Sequence, residues 1–169
     1  YKEAMQIARQ VVEALEDGHR QGLSHLNLRP SNIMLSSEGV KLVNYGVSHL
    51  TAPHRITSKA VRSYMDDYLA PEQFNRQGGD ERSDIYALGT IIYEMLIGHP
   101  PSVGRFYYPS EVNIEATQAI DVLIDHAREN KPERRFATAA EMREEMDRIS
   151  RASLKGSPNQ TIRVVLSWV

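Results

Sequence analysis

The sequence predicts a mainly α fold carrying one small β-hairpin. Three observations set this reading. An amphipathic helical pattern opens the chain, a nearly all-apolar run lies between Ile85 and Ile97, and two further amphipathic stretches follow it. With 169 residues, one domain with a sizeable core is expected.

The elements follow in chain order. From residue 3 to about 21, Ala4, Ile7, Ala8, Val11, Val12 and Leu15 recur at helical spacing, while Glu3, Arg9, Gln10, Glu13 and Glu16 occupy the other face. Gly18 or Gly22 is expected to end this helix. Short apolar runs at 33–35 and 40–43 flank Ser36-Ser37-Glu38-Gly39, which reads as a hairpin. Residues 47–69 are polar, lack periodicity and read as an irregular, mobile segment. The run Ile85 to Ile97 is apolar on all faces, as in a helix buried at a domain centre, and Gly98-His99-Pro100-Pro101 stops it. Residues 114–128 and 138–149 are the later amphipathic helices; Thr138 is the expected N-cap of the second, with Glu141 completing a capping box. Ser153 to Gln160 is linker-like, and the β-prone apolar segment Thr161 to Val169 is expected to dock against a surface. The expected organisation is therefore a domain over 1–150 and a linker with apolar tail over 151–169.

Composition excludes several classes. A net charge of −2 and a pI near 6.3 give no electrostatic case for nucleic acid or an anionic membrane as partner. The absence of cysteine rules out disulfides, thiolate metal sites and a cysteine nucleophile. No apolar run approaches the ~20 residues that span a bilayer, so a membrane is expected only through sequence beyond Val169, and the location is expected to be cytoplasmic. The histidines show no metal-ligand spacing, and no metal site is expected; they read as surface or packing residues.

Five motifs carry the chemistry. They are His25-Leu26-Asn27-Leu28-Arg29-Pro30-Ser31-Asn32, Asn44-Tyr45-Gly46, Ala70-Pro71-Glu72, Ser83-Asp84-Ile85-Tyr86-Ala87-Leu88-Gly89 and Pro132-Glu133-Arg134-Arg135-Phe136. In this order they resemble the protein kinase superfamily: the catalytic loop H-R-D-L-x-x-x-N, the D-F-G turn, A-P-E, the central helix of the C-lobe and a late P-x-x-R-F element. Pro71-Glu72-Gln73-Phe74 and the run from Arg135 to Met142 are similar to bacterial kinases of the eukaryotic Ser/Thr type. The match covers roughly residues 1–150 and implies a kinase-like C-lobe whose hairpin lies beside the active site. No G-x-G-x-x-G loop or V-A-I-K-like strand is present, and Tyr1-Lys2-Glu3 enters a helical pattern at once. The chain is therefore expected to be a piece of a longer protein, without an N-lobe.

The resemblance assigns roles residue by residue. Asn27 stands at the catalytic base and Asn44 at the metal-binding aspartate. An amide has the size of a carboxylate, but it is neutral and takes up no proton near neutral pH. Arg29 stands where the family has a lysine contacting the transferred phosphate; Asn32 keeps the second metal ligand; Tyr45 replaces phenylalanine; His25 and Gly46 complete a vestigial site. Met34 aligns with the floor of the adenine site. Read as bare residues, Asn27 fits a strained loop, Asn32 a turn, Arg29 a locally paired surface cation and Met34 the core. Leu26 replaces the arginine that reads an activation-loop phosphate, so Thr57, Ser58, Ser63 and Tyr64 are not expected to act as switches. Glu72, Arg135 and Asp84 have structural roles: Arg135 is expected to pair with Glu72, and Asp84 to accept from the backbone near His25.

The expectation drawn from the two asparagines is that this is not an enzyme. It is expected to be a catalytically inactive pseudokinase that binds or scaffolds a protein partner or the rest of its parent chain, with no cofactor; ATP with Mg²⁺ is the lesser alternative. Two alternatives stand beside it. One is a nucleotide-binding pseudokinase with residual or altered phosphotransferase activity once an N-lobe is supplied. The other is a purely structural lobe.

Overall fold

Helix α1 (Lys2–Arg20) turns Ala8, Val11, Val12 and Leu15 inward, as its apolar spacing requires. Of its two expected terminators, Gly22 acts: the chain turns there at φ +74°, with the Gln21 N–H donating back to Gly18 and the Gly22 N–H to His19. Gly18 stays inside the helix, where a Cβ would lie 3.0 Å from the Tyr45 ring. In the computed structural model of the chain, the described residues are 1–45, 67–74, 78–101, 105–112 and 115–155. The expectations for Gly46, for Thr57, Ser58, Ser63 and Tyr64, and for the tail Thr161 to Val169 lie outside them.

A 3-10 turn (Pro30–Asn32) leads into strands β1 (Ile33–Ser36) and β2 (Gly39–Leu42), paired antiparallel from Ile33↔Leu42 to Ser36↔Gly39. Gln10 Oε1 accepts from the Val40 N–H at 3.1 Å, which pins β2 to α1. That helix covers β2 and leaves β1 open, so the core reading of Met34 is corrected: Met34 is 56% exposed and Leu35 63%.

The centre is helix α3 (Glu81–Ile97), preceded by the single turn α2 (Pro71–Phe74). Asp80 caps α3, accepting from the Arg82 N–H at 2.8 Å while its own N–H donates to Ser83 Oγ. Ile85, Leu88, Ile91, Ile92 and Tyr93 are all buried, because α1, α4 (Pro109–Val112), α5 (Gln118–Ala127) and α6 (Ala139–Lys155) pack around this helix. Helices α1 and α6 lie antiparallel: Arg9 reaches Asp147 at 2.7 Å and Arg143 reaches Glu16 at 2.8 Å.

Thr138 Oγ1 accepts the Glu141 N–H at 3.2 Å, as a capping box requires. The returning carboxylate takes the N–H of Ala137 rather than that of Thr138. Helix α6 runs to Lys155, beyond the end expected at 149, so the boundary read at 150 falls inside it. Residues 150–153, past the expected end, are solvent-exposed and need no apolar spacing to be helical. Among the described residues, no helix is long and apolar enough to cross a membrane.

Candidate active site

A buried carboxylate organises the loop that holds the site. Asp84 sits in the first turn of α3 and accepts from the His25 N–H and the Leu26 N–H, both at 2.7 Å. His19 Nε2 lies 2.9 Å from the same carboxylate. Leu26 is held at φ +57°, a region that bulky residues avoid. It is gripped on both sides, since Gln73 Nε2 donates to its carbonyl at 2.9 Å. Gln73 is itself oriented by accepting from the Ala70 N–H.

His25 is fully buried, and both ring nitrogens are engaged. Nδ1 accepts the Asn27 N–H at 3.3 Å, so Nε2 carries the proton and donates to the Val43 carbonyl at 3.0 Å. Burial pushes the imidazole below its ordinary value, with Arg29 adding to the effect and Asp84 opposing it. The Tyr45 ring lies 4.5 Å from this imidazole, and its hydroxyl donates to the Ala14 carbonyl at 3.1 Å. Burial pushes that phenol up to about 12, so it remains a donor.

Three asparagines converge. Asn32 is buried, and its Nδ2 donates to the Asn27 carbonyl at 2.7 Å. This orients Asn32 Oδ1 to accept from Asn44 Nδ2 at 3.0 Å. Asn44 holds φ +63°, which asparagine tolerates better than most residues. Asn32 closes the 3-10 turn, as expected of the bare residue, and is also the middle of an amide chain. Arg29 is half-buried, forms no ion pair among the described residues, and has an Nε without a hydrogen-bond partner. Its half-burial corrects the reading of it as a surface cation. Asn27 and Arg29 border a small pocket shared with Tyr68 and Leu69.

The site is braced from below. Arg135 clasps Glu72 through two hydrogen bonds of 2.7 Å and also donates to the carbonyls of Arg82 and Glu129. Ser83 Oγ adds a bond to Glu72 at 2.6 Å. Partial burial would raise the Glu72 carboxyl, but the bonds from Arg135 and Ser83 outweigh it and hold the group below its ordinary value. His19, Gln73 and Ser83 are the supporting residues that motif reading passed over. Ser83 was findable, as the third helical residue after the cap Asp80; a lone histidine and a glutamine after Glu72 carry no such signal.

The donor set does not fit a tightly held Mg²⁺. That ion dehydrates reluctantly and is usually held by carboxylates together with phosphates. Asn32 and Asn44 offer only neutral amide oxygens, and the Asn32 oxygen already accepts a hydrogen bond. Among the described residues, no group of three or more His, Cys, Asp or Glu converges in a metal-holding arrangement.

The family model described as a protein kinase domain matches residues 1–163. Serine/threonine-protein kinase PknB of Mycolicibacterium smegmatis is 30% identical over 173 residues, covering 93% of this chain and 28% of the relative. Serine/threonine-protein kinase PknL of Mycobacterium tuberculosis is 32% identical over 158 residues, covering 85% of this chain and 40% of the relative. The crystal structure of the Mycobacterium tuberculosis PknI kinase domain superposes with a TM-score of 0.66 at 26% identity, covering 87% of this chain and 55% of that one. The chain thus spans well under half the length of the curated relatives it matches. These matches overturn the expectation that the chain is not an enzyme, because the relatives are named as protein kinases. Two amide-for-carboxylate exchanges bear on rate and metal affinity, and they do not remove a chain from a catalytic family.

Glu72→Ala is expected to cost about 3–5 kcal/mol, since it leaves the buried Arg135 charge without its counter-ion, and Arg135→Ala somewhat less, since the partly buried Glu72 keeps Ser83, whereas Asn27→Ala costs less than about 1 kcal/mol. Urea titrations of the variants measure both; equal, small losses would contradict the pairing. The His25 ring sets a pH dependence of definite sign. Its folded proton affinity is below that of the unfolded chain, so its contribution is full above the ordinary value of 6.5 and is lost as pH falls through that value toward the lower folded one. In thermal melts from about pH 7.5 to about pH 5.5, His25→Phe is expected to lose less stability on acidification than the native chain. Equal acid losses would remove His25 as the cause.

Proposed function

This chain belongs to the protein kinase domain family, and on that premise we propose that it is the C-terminal lobe of a Ser/Thr-kinase-type domain with altered phosphotransferase activity. It binds nucleotide phosphates at its own loop of Asn27 to Asn44, and with an N-terminal lobe in place it also positions an acceptor hydroxyl for transfer. The observation that supports this most is the convergence of Asn27, Asn32 and Asn44 on a loop still held by Asp84. The positioning apparatus is retained while its charges have changed.

Each residue has a role in this reading. The Asn27 side-chain oxygen accepts a hydrogen bond from the acceptor hydroxyl and orients it, but does not take its proton. Arg29 supplies the positive charge that draws a phosphate to the loop. Family kinases pair such groups with ATP and Mg²⁺; here the amides weaken the metal's part. Loss of a general base typically lowers the rate by about 10²–10⁴, so transfer is slow in this reading. A second reading, protein binding, has one observation in its favour: β1 leaves both Met34 and Leu35 exposed, one on each face of the hairpin.

The test joins this chain to the N-terminal lobe of a PknB-type relative and follows γ-phosphate transfer to a generic Ser/Thr substrate. Slow transfer is expected, rising about 10²-fold or more in the Asn27→Asp, Asn44→Asp variant. A double variant no faster than its parent, in a fusion that melts as one unit, would refute the proposal.

A further inference from the structure

We infer that this site takes a phosphate chain as a bare anion, with amide N–H groups and Arg29 occupying the role of a divalent cation; the inference rests on the phosphate-binding reading above. The argument begins with the orientation of the amides. Asn32 Nδ2 must face the Asn27 carbonyl, which leaves Asn32 Oδ1 for Asn44. The Asn32 oxygen already accepts one hydrogen bond, and what Asn32 and Asn44 still offer a cation is neutral amide oxygen. Asn44 Nδ2 spends one of its two hydrogens on that bond, and Asn44 is exposed, so the second hydrogen faces solvent or a ligand.

The charges point the same way. Among the described residues Asp84 is the carboxylate bonded to this loop, and its two oxygens are taken up by the backbone of His25 and Leu26 and by His19. Its charge is thus spent below the loop. Arg29, which borders the same loop, is not neutralised by any carboxylate among the described residues. A dication entering here would shed water for neutral amide oxygens. An anion would meet N–H donors and a positive charge. The second arrangement is the favourable one on charge, because the amide oxygens bring no negative charge to a cation while Arg29 brings a positive charge to the loop.

The test titrates tripolyphosphate into the 169-residue chain at constant ionic strength, with EDTA and with excess Mg²⁺. Binding in EDTA is expected to be at least as tight as in Mg²⁺, and Arg29→Ala is expected to weaken it about tenfold. In Asn44→Asp the order is expected to reverse, with Mg²⁺ tightening binding about tenfold or more, because a carboxylate now faces the metal. Native binding that requires Mg²⁺ would overturn the inference alone and leave the phosphate-binding reading intact. Binding that Arg29→Ala and Asn44→Asp both leave unchanged would overturn it as well, placing the anion elsewhere. No binding by native chain or Asn44→Asp, with or without Mg²⁺, would overturn the phosphate-binding reading and this inference with it.

Discussion

The carboxylate of Asp84 is the constraint on which the active-site loop depends. It is buried at the start of the central helix and must find donors there, and it finds them in the His25 and Leu26 backbone and in His19. Hydrogen bonds to a charged group are worth roughly 1.5–3 kcal/mol each. The left-handed backbone of Leu26 costs of order 1–3 kcal/mol. Two such bonds exceed that strain, so the loop is held in a shape it would not adopt alone. His25 then carries the constraint onward, through Val43 to the turn that presents Asn44 and Tyr45.

A second anchor acts independently of the first. Arg135 and Glu72 link the segment before α3 to the loop before α6, and Ser83 ties that pair to the helix bearing Asp84. Neither anchor uses the side chain of Asn27 or Asn44. The residues that shape the loop and those that set its chemistry are therefore separate sets. That separation explains how the fold of a kinase lobe is kept with amides where carboxylates are expected.

The central helix was legible because a run apolar on every side has only one place to go, and α1, α5 and α6 were legible by their periodicity. Glu72, Arg135 and Asp84 were legible as partners through the order of the motifs. Helices α2 and α4 are single turns, too short to establish a period. Met34 was misread because hydrophobicity alone does not say which strand of a hairpin a helix covers. The amide chain could not be read either: the direction of an asparagine side chain is set by partners distant in sequence, here Asn27 and Asn44 around Asn32. The expectation of a non-enzyme failed for a related reason, since it took the loss of two charges as the loss of a family's activity.

Amide hydrogen exchange at His25 and Leu26 tests the central claim most directly. If the Asp84 carboxylate holds the loop, both amides exchange only through large-scale opening of the native chain, and Asp84→Asn accelerates both by about tenfold or more, the equivalent of ~1.4 kcal/mol. Exchange in the native chain at the rate of an open loop, unaffected by Asp84→Asn, would contradict it.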